Sequence, residues 1–200
     1  MDVSAPDSVA ALGTAVHDMM SQRHFADAVI LSGVGGTIAS AAQVVRDYGH
    51  TWRRDYTILI ACPERAPTLY ESFKAGAPVT VMPHTMAEAM QVATVDAHLL
   101  SDIVTYADDV VLVPERWIEQ GIPLLSNATG RPIEGAGVVA PMAVLGSHGI
   151  PHGASGTIHD LRGQEVVTMA SGGSIAQDAV DAIHIDKGNT SRPCELGSDL

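Results

Sequence analysis

Cysteine, lysine and aromatic residues are all scarce in this chain, and each scarcity closes off a class of explanation. The two cysteines, Cys62 and Cys194, stand at the end of an apolar run and in a polar tail. A disulfide framework is therefore not expected, and a reduced, cytoplasmic setting is. Basic residues number 11 against 23 acidic ones, for a net charge of -12, and the lysines are Lys74 and Lys187 alone. With no basic run and no basic-aromatic interleaving, neither nucleic acid nor an anionic membrane is an expected partner. Apolar runs fall short of the ~20 residues that a membrane span needs. The first residues also lack the basic-then-apolar pattern of an export signal, so neither embedding nor export is expected.

What the chain does have is alternation. Its 200 residues, 46% of them hydrophobic, suit one core. Ser8 is placed to cap a helix over residues 9–23, where Val9, Leu12, Val16, Met19 and Met20 fall on one face. "DAVILS" (27–32) reads as a strand buried on both sides, followed by a helix over 37–49 closed by Gly49. The pattern recurs as strand 56–62, helix 66–76, strand 78–83, long helix 85–107 and strand 109–114. A glycine- and proline-rich stretch from 121 to 137 then precedes a helix over 138–149 with Pro141 in its first turn. A strand or strand edge at 165–169 and a short helix at 175–186 close the folded part. The expected fold is α/β, a Rossmann-like three-layer sandwich with a mainly parallel sheet and a short N-terminal helix. Residues 1–24 read as tail and helix, 25–188 as one α/β domain, and 189–200 as a flexible tail.

In such a sheet, ligands gather outside the carboxyl ends of the strands, which singles out residues 32–37, 62–67, 83–85 and 114–121. In the first of these, Ser32, Gly33, Gly35, Gly36 and Thr37 form "SGVGGT" just before a helix, whose free N–H groups favour a phosphate or carboxylate. The loop has neither the Lys-Ser/Thr of a P-loop nor G-x-G-x-x-G spacing. A tight turn alone would also account for its glycines. "GGTIAS" is similar to the opening of bacterial asparaginases, which would make Thr37 a nucleophile, although no "HGTDT"-like segment follows.

A broader likeness runs from residue 27 to 188. "VILSGVGGTIASAAQVVRDYG", "ERAPTLYESFKAGAPVTVMPHTMAEAM", "ADDVVLVPERWIEQG", "GVVAPMAVLGSHGIPHGAS" and "GSIAQDAVDAIHIDKG" resemble, in order, segments of one family. It comprises the translation initiation factor 2B alpha, beta and delta subunits, methylthioribose-1-phosphate isomerase and ribose-1,5-bisphosphate isomerase. The resemblance implies a Rossmann-like sheet and sugar-phosphate handling, either as an aldose-ketose isomerase or as a non-catalytic phosphometabolite-binding or regulatory module. It carries the family's aspartate onto Glu115, beside Arg116, and its Glu-x-Arg-Pro pair onto Glu64 and Arg65. Its first-loop cysteine falls on Val34, which can do no acid-base work, and Ala140 and Pro141 replace its Asn-Lys.

On residue chemistry alone, proton transfer between sugar carbons needs a base, an acid and a phosphate anchor. Glu115, at a strand's carboxyl end, is the candidate base, its alternative being a surface pair with Arg116. Cys62 is the candidate thiol, its alternative being a buried structural cysteine. Arg65 is the candidate anchor, Arg131 a weaker one, and His84 or His152 a proton shuttle. His148 and His152 stand four apart with His159 nearby, but Gly149 and Pro151 break any helix between them, so no metal site is expected. The implied partner is a small phosphorylated metabolite, with no cofactor, and a homodimer is expected.

Overall fold

The computed structural model describes residues 13–145 and 153–173, with residues 175, 180 and 183 beyond them. After helix α1 (Thr14–Arg23) come β1 (Ala28–Ser32), α2 (Gly36–Trp52), β2 (Thr57–Pro63) and α3 (Thr68–Ala75). A short 3-10 turn (Glu88–Met90), α4 (Ala97–Tyr106), β3 (Asp109–Val113), α5 (Glu115–Thr129), α6 (Gly135–Leu145) and β4 (Val166–Thr168) follow.

The four strands form one parallel sheet in the order β3-β2-β1-β4. Ala28 pairs with Thr57 on one side and Val166 on the other, and Leu59 pairs with Asp109. Val29, Ile30, Ile58, Leu59 and Ile60 are wholly buried, as expected for a sheet covered on both faces, and each such side chain contributes about 1.5–3 kcal/mol. The α/β architecture expected from alternation is the one observed.

Right-handed crossovers explain the layers. From β1 through β2 to β3 the chain steps one way, which puts α2, α3 and α4 on one face; it then returns across the sheet through α5 and α6 to β4, which puts those two on the other. In α2 the small residues Ala39, Ala41 and Ala42 are buried with Ile38 and Val45, so the helix lies close on the sheet. Between α5 and α6, a Cβ on Gly121 would run into the side chain of Met142. Gly121 is thus a contact glycine inside a helix.

Four local expectations need correction. Residues 78–83 form no strand: they are exposed or half-buried, and their one backbone-to-backbone bond to another segment among the described residues is from Val81 N–H to the Ala93 carbonyl, 2.9 Å. Pro78 and Pro83 remove two donors from any ladder there. The long helix expected over 85–107 is cut short because Asp96 caps a new start, accepting from the His98 N–H at 3.3 Å. The glycine- and proline-rich stretch is mostly helical: Ile118, Ile122 and Ser126 form a buried stripe at four-residue spacing that outweighs Gly121 and Pro123. Finally, α2 runs past Gly49 to Trp52. Gly49 is needed inside it, since a Cβ there would stand 2.8 Å from the Arg54 carbonyl oxygen. Residues 9–12, 146–149 and most of 175–186, including His148, lie outside the described residues, as does His152.

Candidate active site

The chain leaves β1 toward β2 but reaches β4, on β1's other side, from the opposite helical layer. That reversal opens a crevice at the carboxyl ends of β1 and β4, where an open α/β sheet takes its ligands. The loop after β1 lines one wall. Its Gly35 has φ +86 and ψ -143, a conformation open to glycine and to few other residues, and Gly36 begins the 17-residue helix α2. The first N–H groups of that helix have no partner within it and face outward with the positive end of its dipole.

The second wall is the start of α6. Ser32 Oγ donates to the Ala136 carbonyl at 3.3 Å, and the Glu134 N–H donates to the Gly172 carbonyl at 3.1 Å. These bonds join three loops, those after β1, before α6 and after β4. The approach is close enough that a Cβ on Gly137 would overlap the Ser171 carbonyl oxygen, and one on Gly172 would overlap the Glu134 carboxylate. Two helix N-termini, those of α2 and α6, thus meet beside the exposed Ser171.

A second cluster adjoins it at the ends of β2 and β3. Glu64 Oε1 accepts the Glu115 N–H at 3.0 Å, capping α5, and Glu115 Oε2 accepts the Met86 N–H at 3.2 Å. The His84 N–H donates to the Arg65 carbonyl at 2.8 Å. The strap carrying His84 and Met86 passes over Gly135, where a Cβ would stand 2.5 Å from the Met86 carbonyl oxygen. Two buried oxygens, Glu115 Oε1 and Thr168 Oγ1, have no hydrogen-bond partner, a condition that marks a place for water or ligand.

The structure therefore brings Ser32, Gly33, Gly35, Gly36 and Thr37 into the crevice and sets Glu64, Arg65, His84, Glu115 and Arg116 beside it. Glu64, Arg65, His84 and Arg116 are exposed. Cys62 is elsewhere: it is wholly buried within β2, opposite Leu112, and burial pushes its thiol up to about 12. A thiol so hard to ionise is no acid-base group at neutral pH. Arg131 is an exposed loop residue, and His159 lies on Asp109 at the other end of the sheet, Nε2 to Oδ2 2.8 Å. Among the described residues no cluster of three or more His, Cys, Asp or Glu could hold a metal.

Glu134, Gly135, Gly137, Ser171 and Gly172 were missed from sequence. One signal was available, since the Ser-Gly-Gly after β4 echoes the Ser-Gly-x-Gly-Gly after β1, each following an apolar strand.

A parallel α/β fold with glycine loops and two helix starts at the ends of adjacent strands has the geometry that suits a phosphate-bearing small molecule there. The chain belongs to the pyridoxal-phosphate dependent enzyme family, whose sequence model matches residues 2–159. Its structure is similar to a threonine deaminase from T.th., with TM-score 0.71, 24% identity, and coverage of 86% of this chain and 56% of that one. Serine racemase from Dictyostelium discoideum gives TM-score 0.71 and 22% identity over 86% of this chain and 52% of that one. Threonine deaminase isoform 2 from Solanum lycopersicum gives 0.73 and 21% over 92% and 51%. The chain spans about half the length of these proteins. No curated protein matches it.

The family assignment overturns the likeness to initiation factor 2B subunits and sugar-phosphate isomerases. That likeness rested on strand, glycine loop and helix in sequence, which any phosphate-binding parallel sheet repeats. The sugar-phosphate proton transfer for which Glu115 and Cys62 were candidates falls with it. The family also brings a cofactor that the sequence reading had not anticipated. The described residues fit part of pyridoxal phosphate: the outward N–H groups after Gly35 suit its phosphate, and Ser171 and Glu134 are the polar side chains beside them. They do not fit its aldehyde, which is bound through a lysine amine. Lys74, in the last turn of α3 and exposed, points to no part of the crevice by its place in the fold, and Lys187 lies outside the described residues.

Proposed function

We propose that this chain is the phosphate-anchoring half of the catalytic unit of a pyridoxal-phosphate enzyme acting on a small amino acid. The observation that carries the reading is the junction of three loops at the β1/β4 crevice, held by the bond from Ser32 Oγ to the Ala136 carbonyl within a chain matched by the family's model. The substrate class follows the structural relatives, whose names specify threonine, serine and aspartate. The cofactor, when bound, supplies an electron sink for a carbanion next to the amino group.

The chain's own residues bind and orient. The N–H groups at the start of α2 hold the phosphate, and Gly35 allows the loop to turn them toward it. Ser171 offers a hydroxyl to a polar atom of the ring, and the strap over Gly135 excludes water from one side. The lysine amine comes from outside the described residues, in a neighbouring segment or chain.

Titration with pyridoxal phosphate, pyridoxal and inorganic phosphate, followed by amide NMR shifts of Gly33, Gly35 and Gly36, tests this. Pyridoxal phosphate should move those amides, phosphate should compete, and pyridoxal should not. A Lys74→Arg variant should bind the cofactor unchanged. Equal binding of pyridoxal, or loss of binding on Lys74→Arg, would refute the reading.

A further inference from the structure

At the other end of α2 lies a cleft of about 390 Å³ lined by Arg46, His50, Arg53, Arg54, Asp55 and Tyr56. It opens at the amino ends of β2 and β3, so α2 separates it from the cofactor crevice by the helix's length. A volume of this size suits a small ligand. Three of the chain's nine arginines meet here, in a protein whose net charge is -12.

The three are not equivalent. Arg46 is fully engaged: its Nε donates to the Tyr106 carbonyl at 3.0 Å, Nη1 to the Tyr56 carbonyl at 3.2 Å, and Nη2 pairs with Asp108 at 2.8 Å. Arg54 is held more loosely, with Nη2 3.4 Å from Asp27. The Arg53 guanidinium has no hydrogen bond or ion pair among the described residues. Asp55, the one carboxylate in the lining, has a fully exposed side chain, 3.5 Å from Arg46.

Arg53 is also the only non-glycine residue at positive φ among the described residues, at φ 53 and ψ 43, where it caps α2 by donating its N–H to the Gly49 carbonyl. Glycine is the low-cost residue at such a cap. An arginine kept in a strained conformation, at the mouth of a cleft and without a partner, signals use of its side chain. The strain also fixes the chain direction there, so the guanidinium is presented by backbone geometry.

We infer that this cleft is a second anion site, independent of the cofactor crevice, that takes a small dianion such as a phosphate or dicarboxylate. Arg53 supplies the bidentate contact, Arg54 a second cation, and Arg46 a fixed wall. The negative end of the α2 dipole and the neighbouring aspartates oppose any anion there, so binding depends on the two guanidinium contacts together. A ligand carrying two anionic groups, one for Arg53 and one for Arg54, can make both.

The test is NMR of arginine side-chain Nε–H signals during titration with inorganic phosphate and, separately, succinate, at constant ionic strength set with sodium chloride. The Arg53 and Arg54 signals should shift and saturate with at least one probe, and the preferred probe tells phosphate from dicarboxylate chemistry. An Arg53→Gly variant, in which glycine takes up the cap conformation without strain, should keep its fold and weaken binding about tenfold. Its Gly33, Gly35 and Gly36 amides should still respond to phosphate, which separates this cleft from the cofactor loop. Shifts that follow sodium chloride equally, or an Arg53→Gly variant that binds as tightly as the parent, would overturn the assignment.

Discussion

Replacing Gly135 with alanine tests whether the strap over α6 is part of the candidate site. The added Cβ would stand 2.5 Å from the Met86 carbonyl oxygen, 2.9 Å from its carbonyl carbon and 3.1 Å from Ala87 Cα. These are backbone atoms, so no side chain can rotate away. A carbon-oxygen contact relaxes at about 3.3 Å, so the strap must move by about 0.8 Å. Overpacking of this kind costs about 1–3 kcal/mol. Because Met86 is 41% exposed, the strap can yield outward, which favours the lower half of that range. Alanine also recovers up to about 1 kcal/mol of helix propensity. The net expectation is a loss of about 1 kcal/mol, read as a lower urea midpoint and a Tm lower by about 2–4 °C. Moving the strap also strains the bond from the Met86 N–H to Glu115, 3.2 Å, and shifts the start of α6 beside Ser32. Pyridoxal phosphate affinity should therefore fall by more than stability alone explains. Gly130→Ala is the control: nothing lies within 4 Å of its Cβ, and only its φ of +67 is strained. It should lose comparable stability and no affinity. A Gly135→Ala protein with unchanged midpoint and unchanged affinity would refute the reasoning.

Asp109 should be the most costly polar residue to remove. It is wholly buried and accepts from Val110 N–H, Ser155 N–H and Ser155 Oγ, with His159 Nε2 2.8 Å away. Asp109→Ala should lose about 3 kcal/mol in urea unfolding, and a loss under about 1 kcal/mol would show that the network carries little. Burial raises its pKa, but the hydrogen bonds from Ser155, His159 and Val110 outweigh it and hold the carboxyl below its ordinary value. Its contribution is thus present above the unfolded value of about 3.9 and is lost as pH falls through the lower folded value. Acid unfolding of the parent should be steeper than that of Asp109→Asn. The Cys62 thiol should resist alkylation at neutral pH and react only as the protein unfolds, and rapid labelling of the native protein would contradict its burial. Since its folded pKa is raised, its contribution is whole below about 9 and declines as pH rises toward about 12. Asp96→Ala should cost about 1 kcal/mol through the lost cap of α4, and an unchanged midpoint would show that the cap is idle.

Much of the fold was legible because a strand buried on both faces must be a short apolar run. "DAVILS", "YTILIAC" and "DVVLVP" could hardly be anything else once helices separated them, and parallel pairing followed from the spacing. The turn at Ser32–Gly36 and the helix start that follows it were legible for a similar local reason, as glycines before a helix act through the backbone alone. Residues 78–83 and 121–137 were misread because their outcome depends on neighbours. The first has no strand to pair with beyond one bond to Ala93, and the second becomes helical because Met142 fills the space left at Gly121.

The sequence by itself determined the alternation of strands and helices, the glycine turn after β1 and the net charge of -12. All three are local or additive properties that need no knowledge of what lies next to what. Only the tertiary structure decided what the turn belongs to. Ser32 and Ala136 are 104 residues apart in sequence and become neighbours because the chain recrosses the sheet to place β4 beside β1. That crossing, a matter of topology rather than composition, brings Glu134, Gly137 and Ser171 to the loop, and it seats the β1/β4 crevice at one end of α2 while an arginine cleft lies at the other.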